Sequence, residues 1–537
     1  MCGVICLSTN APKPKKDYNA FIAKIKEAVD FVQDMKGTVL CISHIDADGL
    51  TSAGIIGKAM HRAQKIYHIR CIRQLELPII SEISRMHKVN NIIFTDLGSG
   101  QLAGINKYLA NRKILILDHH PAITEPAHES IIHINPFDYN YNGTDEISGA
   151  GMTYFFAKHL DERNIDSAPI AVVGALADRQ DKGKKKALKG LNKKIVQDGI
   201  KAGLLEERLD IRLFGRETRP IYQALEYTTD PFLPGLTGDG DMCLRFMRDT
   251  KIPQQKGDEW RSLQDLSSEE RRTLVEALIT YGLQNGMSAE ESQSILGMVY
   301  VLTKEQKGTL LRDAREFGSL LNSCGRLHAT GIAIGICMGE RKFLLQEAEN
   351  IMSEYRRKIS KFIEIINTDS EHLKEYPNLL VFDGQDLIDD SMIGTVTSIA
   401  ISTKKFINKK KPLVGFAKSD DGTIKVSSRG TTQLVEKGLN LGLALREAVE
   451  KLGTKAEGGG HNIAAGARIP QGTEALLIEN LNEALEKQIG EKKPEVKQTT
   501  LIPKKDKSTG SSSSSKHSKS TTKSSTKTKK TNSSKKK

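Results

Sequence analysis

The sequence predicts an α/β protein whose N-terminal part is built on a parallel sheet, and three observations carry that expectation. Short apolar runs rich in Val and Ile alternate with helix-forming stretches. The runs are nearly continuous in apolar character, as in strands covered on both faces, rather than alternating as in half-exposed ones. Each run ends in an acidic residue or a histidine.

The elements follow in order. AFIAKIKEAVDFVQDM places Phe21, Ile25, Val29 and Val32 on one face of a helix. TVLCISH reads as a strand, IDADG as a turn and LTSAGIIGKAMHRA as a helix. NIIFTD and KILILDHH each follow a helix-like stretch, and PIAVVGALAD reads as a fifth strand after the helical GAGMTYFFAKHLDERN. Crossovers in such sheets bring the carboxyl ends of the strands to one edge, where ligands bind. His44, Asp46, Asp48, Asp96, Asp118, His119, His120 and Asp178 are therefore expected to face one crevice.

Carboxylates crowded in a dry crevice drive one another toward protonation unless cations are present. Asp oxygens and imidazole nitrogens without thiolate suit Mn²⁺ or Mg²⁺ better than structural zinc, although zinc remains open. At least six candidate ligands favour two ions over one, and paired ions suit phosphoester hydrolysis by in-line displacement.

Composition bounds the setting. At 537 residues the chain exceeds one core, so two to four domains are expected. No run reaches the roughly 18 to 20 apolar residues of a membrane span, and the opening MCGVICLSTNAPKPKK does not read as a signal peptide. Seven scattered cysteines, never spaced C-x-x-C, suggest neither a disulfide framework nor a zinc knuckle, and a reducing cytoplasm is the simplest setting. Fifteen lysines against three acidic residues in 491–537 account for twelve of the thirteen net positive charges, so the body is close to neutral. That Ser- and Lys-rich tail has little to bury and reads as disordered, serving either solubility or nucleic-acid contact.

SHIDADG, FTDLGSG, LDHHP and GALADRQD, followed far downstream by GGGHNIAAG, resemble the DHH phosphoesterase superfamily, and most of all its archaeal RecJ-like single-strand exonucleases, the group that includes the nuclease bound to GINS. The resemblance spans about residues 17 to 490 and is weakest in the middle. It implies a parallel-sheet DHH catalytic domain (17–200), a mainly helical insertion (201–305), a linker with a long connecting helix (306–370), and a smaller α/β DHH-associated C-terminal domain (371–490) ahead of the tail (491–537). It also implies that Asp96 bridges two metal ions, with His44 and Asp46 on one and Asp48, His119 and Asp178 on the other. Asp118 would orient a histidine and His120 would face the scissile phosphate. Bacterial RecJ proteins more usually carry Asp at the position of His44.

Downstream, IKVSSRG resembles the Ser-x-Arg signature of the associated domain, so Ser427 and Arg429 are expected to grip a phosphate. Gly458, Gly459 and Gly460 would let backbone amides approach it, with His461 as a further donor. Asn322 and Arg326 either reach the cleft or pack in the core. Asp181 reads as a solvated loop or capping residue, and His61, His68, His87 and His133 as ordinary surface or core histidines. The insertion, which holds the only tryptophan, Trp260, reads as a partner-docking or substrate-covering unit.

The resemblance thus implies a metal-dependent exonuclease on single-stranded DNA or RNA in replication or repair. Hydrolysis of short oligonucleotides or dinucleotides, as in nanoRNases, is the enzymatic alternative. A replisome scaffold that binds GINS and the replicative helicase is the non-enzymatic one.

Overall fold

The computed structural model describes residues 15–490 except 123–124, 369–370, 402–405, 407–409 and 454–455, so the lysine-rich tail lies outside the described residues. Helix α1 (Tyr18–Gln33) buries Phe21, Ile25, Ala28, Val29 and Val32, the face its spacing requires. There follow β1 (Val39–His44), α2 (Ala47–Arg62), β2 (Tyr67–Ile72), α3 (Leu77–Ser84), β3 (Asn91–Thr95), α4 (Leu102–Leu109), β4 (Lys113–Leu117) and β5 (Ile131–Ile134). The five strands pair in parallel in the order β2-β1-β3-β4-β5.

Alternate strand residues serve two cores. Val39, Cys41, Ile93, Leu115 and Leu117 join α1 and α2 on one face, whereas Leu40, Ile42, Ile92, Phe94, Ile114 and Ile116 join α3 and α4 on the other. The chain runs from β1 outward to β2, then returns to the opposite side of β1 to place β3. The crevice at such a reversal, outside the carboxyl ends of the strands, is where open α/β sheets take ligands. His44 ends β1 and Asp96 follows β3, one on each side of that crevice.

One element departs from the sequence expectation. After α5 (Gly149–Leu160), PIAVVGALAD lies in helix α6 (Ala168–Ala177), and the fifth strand is Ile131–Ile134 instead. Pro169 suits the first turn of a helix, and every residue from Ala168 to Leu176 is buried. A helix buried all round shows no 3.6-residue period, so its sequence looks like a buried strand. Asp178 is accordingly a helix C-cap rather than a strand end.

Next come α7 (Gly190–Lys201), β6 (Leu205–Ile211), α8 (Ile221–Tyr227), α9 (Gly240–Asp249), β7 (Gln255–Lys256), β8 (Glu259–Trp260), α10 (Ser268–Gln284), α11 (Ala289–Gln293) and β9 (Leu296–Leu302). The antiparallel pair of β6 and β9 brackets a mainly helical unit with its own core, including Leu225, Leu236, Met247, Leu274 and Leu278. Helices α12 (Ala314–Arg326), α13 (Thr330–Met338) and the long α14 (Phe343–Thr368) lead onward.

The C-terminal part is a mixed sheet of β10 (Leu373–Glu375), β11 (Leu380–Asp383), β12 (Leu413–Lys418), β13 (Thr423–Arg429), β14 (Glu457–Gly460) and β15 (Ala464–Pro470), ordered β10-β11-β12-β13-β15-β14. Helix α15 (Asp390–Ala400) covers one face, and helices Leu441–Glu450 and Glu474–Ile489 cover the other. Among the described residues no helix is long and apolar enough to cross a membrane.

Candidate metal centre

Hydroxyls and helix ends place the acidic groups. Ser43 and Thr95 are register partners across β1 and β3. The Thr95 hydroxyl donates to Ser43 Oγ (2.9 Å), which donates to the Gly49 carbonyl (2.6 Å), tying the turn after His44 to the end of β3. Asp46 caps α2 by accepting from the Gly49 amide (3.0 Å), and Asp48 lies in the first turn of that helix. The Asp48 carboxylate accepts from the Gly149 and Ala150 amides (2.7 and 3.0 Å) at the N-terminus of α5, where the helix dipole favours an anion. Asp96 takes a left-handed φ of 62°, rare outside glycine and frequent at functional turns.

Two helical glycines make room for these carboxylates. A Cβ at Gly149 would lie 2.4 Å from Asp96 Oδ1, and one at Gly174 would lie 2.4 Å from Asp48 Oδ1. Glycine inside a helix costs roughly 1 kcal/mol relative to alanine, so Gly174 within α6 is a sequence signal that the expectation overlooked.

The imidazoles are oriented from behind. His119 Nδ1 donates to the Gly143 carbonyl (2.6 Å), which leaves Nε2 3.2 Å from Asp96 Oδ1 and 3.7 Å from Asp48 Oδ2. His120 Nδ1 donates to Asp118 Oδ1 (2.8 Å), and the exposed remainder of its ring is turned to solvent. His44 Nε2 donates to the Arg73 carbonyl (2.9 Å), and Nδ1 faces Asp46 Oδ2 (2.9 Å). Three sets of side chains come within ligand range: His44, Asp46 and Asp96; Asp48, His119 and Asp178; and Asp96, His119 and His120. Asp118 belongs to none, because its oxygens accept from His120 and from the Ser99, His119 and His120 amides. Burial alone would raise the Asp118 carboxyl, but these donors hold it well below the usual range.

Charge in the pocket is unbalanced. The ion pairs of Asp46, Asp48, Asp96 and Asp178 among the described residues are with histidines, not with Lys or Arg. Burial, then Asp48 and Asp46, push the Asp96 carboxyl far above the ordinary carboxylate range. Burial and Asp48 push Asp178 up to about 6. Burial disfavours a charged His44, but Asp46 outweighs it and lifts the imidazole to about 9. Asp96 Oδ1 is buried without a hydrogen-bond donor. An orphaned carboxylate oxygen among like charges and imidazole nitrogens fits divalent cations with an affinity for oxygen and nitrogen.

Further residues brace this floor. Gln180, which lies within GALADRQD but carries no expected role there, is fully buried. Its Nε2 lies 2.8 Å from the Gly143 carbonyl, 3.1 Å from that of Ile147 and 2.8 Å from Asp178 Oδ2, while Oε1 accepts from Asn192 (2.6 Å). It therefore steadies Asp178 directly and His119 through their shared carbonyl partner. Asn322 braces the metal loop rather than facing the cleft, its Oδ1 accepting from the Ala47 amide (3.0 Å). Asp181 is not solvated as expected: it is buried and accepts from Arg212 (3.3 Å) and Arg315. His61, His68, His87 and His133 enter none of the ligand sets, and His133 pairs with Ser99 Oγ (2.9 Å).

The C-terminal domain supplies a buried hydroxyl and a guanidinium. Ser427 and Arg429 lie on β13, and Ser427 Oγ is buried without a partner. Arg429 Nε donates to Ser398 Oγ (2.6 Å) and Nη1 to the Ser428 carbonyl (2.8 Å), leaving Nη2 beside Gly394, where a Cβ would stand 3.5 Å away. Burial, then the charges of Arg179 and Arg326, lower the Arg429 pKa. Gly458, Gly459 and Gly460 form β14 rather than an open loop, and His461 lines a surface pocket with Thr432, Val435, Asn462 and Ile463.

Comparison with known proteins agrees with this anatomy. Family models match the DHH family N-terminal domain at residues 38–177, the DHH-CID domain at 213–296 and the DHHA1 domain at 384–491. An uncharacterized protein of Methanocaldococcus jannaschii is 29% identical over 473 residues, covering 87% of this chain and 98% of that protein. Thermus thermophilus RecJ in complex with Mn²⁺ superposes with a TM-score of 0.52 at 15% identity, over 89% of this chain and 56% of that one. Entamoeba histolytica CDC45 superposes with a TM-score of 0.53 at 12% identity, over 87% of this chain and 97% of that one. At such identities the likeness is one of fold. The chain thus carries a DHH family N-terminal domain, a DHH-CID domain and a DHHA1 domain in that order, on a fold it shares with RecJ and CDC45.

Proposed function

We propose that this phosphoesterase is a two-metal exonuclease that hydrolyses single-stranded DNA or RNA, in replication or repair within the cytoplasm. The observation that carries the reading is a set of acids and imidazoles within ligand range, without Lys or Arg ion pairs among the described residues, in a chain that also presents the unpartnered Ser427 hydroxyl and the Arg429 guanidinium together beside Gly394. The negative oxygens of a phosphodiester match both a divalent cation and a guanidinium fork.

His44 and Asp46 would hold one ion and Asp48, His119 and Asp178 the other, with Asp96 shared. Bound Mn²⁺ or Mg²⁺ would supply Lewis acidity toward the phosphoryl oxygens. The chain's own groups do the rest. Water forms the new P–O bond, the ester P–O bond breaks, and the leaving oxygen needs a proton. His120, fixed by Asp118 and raised in pKa by that hydrogen bond, would donate it or bind a non-bridging oxygen. Ser427 and Arg429 grip a neighbouring phosphate, and His461 with the β14 glycines adds a more distant contact.

A RecJ that is an exonuclease bound to manganese shares the fold (TM-score 0.50, 15% identity, over 88% of this chain and 96% of that one), which supports the reading without fixing substrate or metal. CDC45 shares it as well, so the fold leaves open a scaffold role with GINS and helicase contacts; the assembled site favours catalysis. End-labelled single-stranded DNA and RNA, a matching duplex and a dinucleotide are digested with Mn²⁺, Mg²⁺ or chelator. Stepwise release of mononucleotides from single strands, abolished by chelator, is expected. Cleavage of the dinucleotide alone would establish the oligonucleotidase alternative, and no cleavage at all would leave the scaffold reading.

A further inference from the structure

Immediately beyond Asp178 on the metal floor the chain reads RQDKGKKKALK, residues 179–189, with six cationic side chains and one acid. The acid, Asp181, is buried and already engaged by Arg212 and Arg315. Lys189 pairs with Asp145 (2.8 Å), and Lys182 reaches the Thr144 carbonyl at 3.4 Å. Among the described residues Arg179, Lys184, Lys185 and Lys186 have no carboxylate partner. Lys182, Lys184 and Lys185 are exposed, and Lys186 is half-buried.

The turn that presents them is held rather than loose. The Gly183 amide donates to the Ala187 carbonyl (2.9 Å) and the Lys186 amide to the Gly183 carbonyl (3.0 Å). Leu188 is fixed by the Tyr300 hydroxyl (2.7 Å). Strand β9 abuts it so closely that a Cβ on Gly297 would lie 3.0 Å from the Lys185 carbonyl. Arg179 takes a left-handed φ of 56° as the residue that closes α6, as helix ends commonly do, whereas Lys185 and Lys186 take left-handed values of 55° and 58° within the turn itself. Such backbone persists only where the surroundings impose it, and it clusters at ligand clamps. A solvated lysine run would need neither anchoring nor two such residues in succession.

We propose that this turn is a second contact for the phosphate backbone of a single-stranded nucleic acid, outside the catalytic cleft and continuous with it through Arg179. The inference rests on the proposed function in taking the substrate to be a strand. Lys186 is eight residues past Asp178, so at most roughly 28 Å of extended chain separates it from that metal-ligand candidate. Lysine suits the task, because a flexible point charge follows a backbone without reading bases. The turn would therefore raise affinity for long strands and contribute nothing to cutting short ones.

The test compares the full chain with a variant carrying Lys182→Gln, Lys184→Gln, Lys185→Gln and Lys186→Gln; both keep the same lysine-rich tail. Binding of a labelled 20-nucleotide single strand is measured by anisotropy across a salt series, and hydrolysis of a dinucleotide is measured with Mn²⁺. A loss of two to four phosphate contacts flattens the slope of log K against log salt by about 1.5 to 3 units. Affinity at low salt should fall about tenfold or more, while dinucleotide turnover stays within about twofold. A second variant with Lys184→Glu and Lys185→Glu should weaken long-strand binding further at an unchanged melting temperature. An unchanged salt slope in both variants, or equal losses on the 20-mer and the dinucleotide, would overturn the proposal. A normal slope difference in a wild-type protein that cleaves neither substrate would instead overturn the catalytic reading and leave the strand contact standing.

Discussion

Two charge clusters adjoin in this chain, one around the buried Asp48 and Asp96 and one around the buried Asp181 and Asp210, and they are built on opposite plans. Around Asp96, the acids Asp46, Asp48 and Asp178 face one another with only histidines between, and Asp96 and Asp178 are raised in pKa. At the root of the insertion, Asp181 is clasped by Arg212 and Arg315, and Asp210 by Arg216 and Arg271, the last at 2.8 Å. Burial pushes Asp210 up, yet its arginines bring it below the ordinary value. An acid balanced by guanidinium is complete and serves as a joint. An acid left among its own kind is destabilising until a cation arrives from solution, which is why it marks the site.

The sharpest way to break that comparison is to neutralise one acid in each cluster. Asp96→Asn should lower turnover at saturating Mn²⁺ by at least about 10³, because one residue would serve both ions. The same change relieves repulsion, so the metal-free variant should melt no lower than wild type. More than a tenth of wild-type activity would defeat the shared-ligand assignment.

Asp210→Asn should do the reverse. Removing one partner of a buried pair strands the arginines and costs about 3 to 5 kcal/mol, readable in urea unfolding, while activity per folded molecule is retained. Equal stability in Asp96→Asn and Asp210→Asn would erase the distinction between the two clusters.

A third acid sharpens it by pH. Burial, then Asp313, push Glu316 up to about 7, above its ordinary 4.5. The folded state then binds the proton more tightly than the unfolded one, so stability falls as pH rises from about 4.5 through 7. Glu316→Gln keeps an oxygen to accept from the Glu217 amide, and its Nε2 donates to the Thr218 hydroxyl in place of the oxygen that accepts from it, without the charge. It should be nearly neutral at pH 4.5 and stabilising by up to about 3 kcal/mol at pH 8. A constant difference in melting temperature across that range would refute the assignment.

The smallest expected effect lies in the brace behind the metal floor. Gln180→Leu should weaken Mn²⁺ binding, followed by calorimetry, by roughly 10- to 100-fold with little change in fold. A change under threefold would make Gln180 packing rather than positioning.

How much of this was legible in the sequence depends on where each residue's partners lie. Apolar runs that end in polar residues disclosed β1, β3 and β4 and the acids at their ends, because strand ends in a parallel sheet share one edge. Periodicity disclosed α1, since one face of that helix meets solvent. The same reasoning failed for α6, which is buried on every side and so carries no period. Asp181 looked solvated because its arginines arrive from 31 and 134 residues away.

The sequence by itself determined the chemistry available: which acids and imidazoles stand at strand ends, and that they would repel one another without metal. Only the tertiary structure decided which imidazole nitrogen faces inward, which acids are neutralised by arginine, and that Gln180 and Asn322 brace the floor. Those outcomes depend on hydrogen bonds and ion pairs between segments far apart in the chain, such as Asn322 to Ala47 across 275 residues, and no local pattern encodes them.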